Sequence, residues 1–343
     1  MAYRLPALAG IVMMAAVTTT AFQGTTELLY VVNSRSPELS VISVPGHTVA
    51  GTIKVGTGAS GITANRAGDR LYVVQEAEQQ LLAIDTRTHR ILWKVAIGEI
   101  PHQVAISGDG RLLYVCIFAR DYLEVIDTEK QAVVGRVPVG FGPHNVEASP
   151  DGKLLYTGLI HQQAITVVDA FSQKIVKRVP AGEAVRPLFV TPDNSRVYFQ
   201  LSRFQGFAFM DVATEKIERI ALPPLKAAAP TAWPYNVAHG IAVSPDGKLL
   251  FADSALDNYV AVYSIPDHKL LTTIPVGENP NWMTFSRDGR FLYVSNRGSN
   301  NVSVISVADN KELQRITVGE GPQRVLTVRV PSSTVTFESQ RLD

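Results

Sequence analysis

The sequence predicts an all-β protein, a closed ring of seven four-stranded antiparallel sheets, and three observations carry that prediction. The phrase Ser-Pro-Asp-Gly-Lys-Leu-Leu occurs at residues 149–155 and 244–250, with looser copies at 107–113, 191–198, 286–292 and 65–72. Apart from one longer interval, successive copies lie about 42 residues apart. A fixed period near 40 built from short strands signals a radial array of sheets, a seven-bladed β-propeller. The termini supply the third observation. The chain opens with a second-type strand, 28–32, and closes with a lone first-type strand, 323–328. N-terminal strands that pair with that last strand complete one blade and leave no open sheet edge.

One repeat shows how each element arises. Residues 144–148 form the first strand, which stops at Ser149-Pro150-Asp151-Gly152. Proline presets the first turn position and glycine takes the positive φ that closes the hairpin. Residues 154–157 form the second strand and, after a polar loop, the β-branched run 164–168 forms the third. Asp169 ends it and can cap the turn with its own carboxylate. Residues 174–179 form the fourth strand, closed by Gly182. The same third-strand ending recurs at Asp85, Asp127 and Asp211, and as serine at Ser43, Ser264 and Ser306. First strands fall at 61–65, 102–107, 144–149, 186–191, 239–244, 281–286 and 323–328, seven in all.

Composition narrows the function classes. Hydrophobic content of 46% with 18% charged residues describes a globular chain. Formal net charge is +1, so neither nucleic acid nor an anionic membrane is expected as a partner. Arg4 followed by the apolar run 5–17 and the small residues 18–21 reads as a secretory signal. The expected organisation is a signal peptide over 1–23, the propeller over 24–330 and a tail over 331–343. The run is short for a membrane span, so the mature chain is expected to have none, and to be a periplasmic, secreted or cell-surface monomer. With Cys116 alone, no internal disulfide forms and c-type haem attachment is excluded.

Candidate site residues emerge when the repeats are aligned on their turns. The first strands open with Gly61, His102, His144, Arg186, His239, Asn281 and Gln323, which should converge at the channel mouth. Three readings stay open there. The side chains can simply bond neighbouring loops and channel water; the imidazoles of His102, His144 and His239 can hold a divalent metal; or Arg186 can take an anionic or planar ligand with the histidines as donors. The interval from Arg186 to His239 is 53 residues, and the extra segment lies in 221–238. It enters a first strand, so it should overhang the ring as a lid presenting Trp233 and Tyr235. Loops between second and third strands add Arg120, His161, Arg203, Asp257 and Arg297 to this face. His47, His89 and His268 fall in turns on the opposite face and receive no role. No Gly-x-Ser-x-Gly, Walker loop or His-Glu-x-x-His occurs.

The segments Leu113-Tyr114-Val115, Tyr293-Val294-Ser295-Asn296, Ile274-Pro275-Val276-Gly277 and 239–247 resemble the YVTN-type β-propeller repeat. The resemblance implies this fold, in a group that includes exported proteins, lactonase-like propellers and the cytochrome d1 haem domain. Pro101-His102 and Pro143-His144-Asn145 look somewhat like the last, although the cytochrome c segment that usually accompanies it is absent. Taken together, the sequence favours a non-catalytic module that binds a small molecule or protein on its loop face. Its alternatives are a metal-dependent lactonase or lyase, and a partner for a porphyrin or quinone cofactor.

Overall fold

The computed structural model describes residues 24–44, 46–228 and 236–331. The expected signal peptide and most of the expected tail lie outside them. Seven four-stranded antiparallel sheets form a ring. Blades 1 to 6 span 59–96, 101–138, 143–180, 185–221, 241–275 and 280–317. Blade 7 takes Pro322–Pro331 as its inner strand and Thr25–Asn33, Glu38–Val44 and Thr48–Lys54 as the other three. The closing register runs from Thr25 opposite Pro331 to Asn33 opposite Pro322.

Local chemistry explains the turns. Ser149 Oγ donates to Asp151 at 2.6 Å and accepts from the Leu154 amide at 2.9 Å. Gly152 closes the turn with φ of +70°, a backbone state that glycine adopts at no steric cost. At the outer hairpins, Asp127 Oδ1 accepts from the amides of Glu129 and Lys130, both at 3.0 Å, and Asp169 and Asp211 do the equivalent. These are the side-chain caps expected from the third-strand endings.

The core is divided by interface. Seven apolar clusters each join two neighbouring blades; one, for example, packs Tyr156, Ile165 and Val179 of blade 3 against Leu188, Val197 and Phe199 of blade 4. Second-strand tyrosines then bridge to the next blade. Tyr198 meets His268 Nε2 at 2.9 Å, Tyr30 meets His89 at 3.2 Å and Tyr293 meets His47 at 3.4 Å. The three histidines with no expected role are thus inter-blade anchors. Tyr114 and Tyr156 donate instead to the Ala170 carbonyl and to Asn194.

Blade 5 departs from the expected boundaries. Its inner strand is Ile241–Val243, not 239–244. The amides of His239 and Gly240 are taken by the Asp253 carboxylate, both at 2.7 Å, so those residues leave the ladder.

Candidate active site at the channel mouth

Six of the seven inner strands enter the channel through a β-bulge. Pairing skips Ser60 in blade 1, His102 and Gln103 in blade 2, His144 in blade 3, Arg186 and Pro187 in blade 4, Asn281 in blade 6 and Gln323 in blade 7. A bulge re-aims side chains and frees them from the alternation of a strand. It also corrects the alignment by one residue in blade 1, where Ser60, not Gly61, is the equivalent of His102. Four bulges begin beside a proline, Pro101, Pro143, Pro280 and Pro322, which has no amide to lose.

These side chains converge across the axis. The rings of His102 and His144 lie 4.2 Å apart. His144 and His239 lie 5.9 Å apart although blade 4 stands between theirs. His239 Nδ1 is 2.6 Å from the Asn281 carbonyl oxygen, and since a carbonyl only accepts, the proton sits on Nδ1. Arg186 donates through Nε to Ser202 Oγ at 2.8 Å. The Nδ1 of His144 and the Oδ1 of Asn281 are buried with no partner. Burial and the neighbouring guanidinium groups hold all three imidazoles well below their ordinary range, so they are neutral at neutral pH. Burial also pushes Arg186 down to about 10, which leaves it charged.

Turn-anchored alignment misses two residues of the site. Arg324, only 1% exposed, lies beside Gln323 and extends from blade 7 across blade 1. Its Nε donates to the Ser60 carbonyl at 2.5 Å, its Nη2 lies 2.9 Å from His102 Nδ1, and its guanidinium stacks 4.2 Å over Trp282. Gly61, next to Ser60, makes room for the backbone of the next blade, because a Cβ there would drive into the His102 carbonyl oxygen. His102 Nδ1 is equally close to the His144 carbonyl oxygen, 2.9 Å. The carbonyl accepts and the guanidinium donates, so each tautomer of His102 serves one of them. The second missed residue is Asp253, which fixes the His239–Gly240 backbone from behind. Burial pushes its carboxyl up to about 8 against the pull of the two amide donors.

This donor set does not fit the metal expected of His102, His144 and His239. Arg186 and Arg324 share the ring and repel a divalent cation, and the Nδ1 atoms of His102 and His239 already face backbone carbonyls. Among the described residues no three His, Cys, Asp or Glu side chains stand together as metal ligands. Neutral imidazoles beside two cations suit an anion.

The surrounding loops are more open. Arg120 pairs with Glu99 at 2.9 Å, both half-exposed, and is not part of the ring. Arg203 is exposed beside His161, Glu183 and Ser202. Arg297, half-enclosed near Arg35 and Glu76, extends the positive field toward His102. Phe118 lies 6.4 Å from His102 and leads outward to His161 and Phe141. Trp233 and Tyr235 lie outside the described residues. The flanks of their segment are held beside the ring: Val237 donates to the Ser202 carbonyl, and Lys226 donates its amide to Asp257.

The family model described as lactonase, 7-bladed beta-propeller, matches residues 47–325. No curated protein matches the chain. Among solved structures, hydrazine synthase of Kuenenia stuttgartiensis is 21% identical with a TM-score of 0.72, over 82% of this chain and 92% of that one. The periplasmic gluconolactonase of Pseudomonas aeruginosa is 20% identical with a TM-score of 0.70, over 89% and 100%. A dihydro-heme d1 dehydrogenase is 15% identical with a TM-score of 0.63, over 84% and 63%. At these identities the structural likenesses carry the fold alone. The family match overturns the expectation of a non-catalytic binding module, which rested on the lack of a familiar catalytic motif.

Proposed function

The chain belongs to the seven-bladed β-propeller lactonase family, and on that premise we propose that it hydrolyses a lactone at the ring of His102, His144, Arg186, His239 and Arg324. The observation that carries this reading is His144: neutral, enclosed, flanked by two cations, with an unpartnered Nδ1. Water adds to the lactone carbonyl carbon as His144 Nδ1 takes its proton. The oxyanion that forms is held by the Arg186 and Arg324 guanidinium groups, which are already fixed in place. The ring C–O bond then breaks, and the departing alkoxide takes the proton back from His144, giving a hydroxy acid. His144 is a weak base while empty of substrate, but the developing negative charge stabilises its imidazolium. The unpartnered Asn281 Oδ1 offers an acceptor to a substrate hydroxyl, which favours polyhydroxylated lactones.

The test is a pH-stat assay over aldonolactones, their phosphates and acyl homoserine lactones. At least one class should be hydrolysed above its spontaneous rate, and His144→Ala should lower kcat by about 10²–10⁴-fold. Absence of turnover on every class, or an unchanged His144→Ala variant, overturns the reading. We also propose that the protein works outside the cytoplasm, on the strength of the apolar run 5–17; fractionation of the host cell tests this.

A further inference from the structure

The channel does not end at the ring. On its opposite side a cavity of about 490 Å³ opens toward the hairpins that join first and second strands, a size typical of small-molecule sites. Its wall is largely apolar, with Leu188, Phe189, Met283 and Phe285 facing it. Buried polar atoms at its inner end have no partner: Nη1 of Arg324 and Oε1 of Gln103. Nothing in the lactonase reading uses them, since Arg324 meets the ring through Nε and Nη2.

We propose that this cavity binds a small monocarboxylate with an apolar body, its carboxylate on Arg324 Nη1 and its body against the aromatic wall. A guanidinium edge whose Nη1 keeps both of its N–H groups free, at the closed end of an apolar pocket, matches that chemistry. The charged groups facing the cavity are Arg324, Glu147 across from it and the exposed Arg287 at the outer mouth. His102, beyond Arg324, is neutral. Channel solvent reaches part of Glu147, yet the enclosing walls push its carboxyl up to about 7 against the pull of Arg324. Below that pH Glu147 is a neutral donor; above it, a like charge opposes the ligand. Burial pushes Arg324 down to about 9, so it stays charged through that range.

The test uses octanoate as probe and octanamide as its uncharged control, with binding to the full chain followed by calorimetry. Octanoate, itself ionised at both pH values, should bind roughly tenfold more tightly at about pH 6 than at about pH 8. Octanamide should bind weakly at both. Glu147→Gln should abolish the pH dependence and keep the binding. Thr63→Trp, which fills the cavity wall away from the ring, should abolish binding and provides a second reading if Glu147→Gln fails to fold. Equal binding of octanoate and octanamide, no binding of octanoate, or an unchanged pH profile in Glu147→Gln overturns the proposal. The readout is binding, not turnover, so it stands or falls independently of lactone hydrolysis.

Discussion

Gly61 shows how much of the site hangs on one missing side chain. A methyl group there would drive into the His102 carbonyl. Gly61→Ala should therefore cost about 1–3 kcal/mol in urea unfolding, and should lower turnover by displacing His102 from Arg324. The ring histidines make a second prediction. Their folded-state pKa values lie well below the ordinary 6.5, so between those values and 6.5 the unfolded chain binds more protons than the native one. Stability is thus full above about pH 6.5 and falls as the pH drops below it. The urea midpoint measured against pH should show that slope, and His239→Gln should flatten it. What the sequence made legible at this scale was the position of His102, His144, Arg186 and His239, because a rigid turn a few residues downstream sets their register. Ser60 was misread as Gly61 because a bulge adds a residue without leaving a local mark. Arg324 was missed because its partners come from blades 1, 2 and 6, and Asp253 because the amides it holds belong to residues 13 and 14 positions earlier in the chain.

At the scale of elements, the turns and their caps were readable because their chemistry is local: serine, aspartate and glycine act within five residues of one another. Contacts between blades were not. His47, His89 and His268 look like ordinary turn residues until the ring brings a tyrosine to each. Removing one such bridge should weaken a single interface. Tyr198→Phe retains the ring packing and loses the hydroxyl's bonds to His268 and, within the blade, to Arg196, so a loss of about 0.5–1.5 kcal/mol in thermal or urea unfolding is expected. Lactone hydrolysis should stay unchanged, because the bridge lies at the far end of the blade from the channel mouth. A comparable loss is expected for Ser149→Ala, which leaves Asp151 and the Leu154 amide without their shared hydroxyl.

For the whole molecule, the closing blade is the decisive unit. Its inner strand comes from one end of the described residues and its other three strands from the opposite end. Deleting residues 322–331 should expose the edge of Thr25–Asn33, break two inter-blade clusters and abolish the cooperative unfolding transition seen by circular dichroism. This seam also sets a condition on the site. Arg324 rides on the last of the described strands, and it meets His102 only with that strand seated beside Thr25–Asn33. An unfinished or still-unlatched chain holds its histidines and Arg186 without the second cation, Arg324. On the proposed lactonase reading, turnover requires the latched blade and so doubles as a report that the circle has shut.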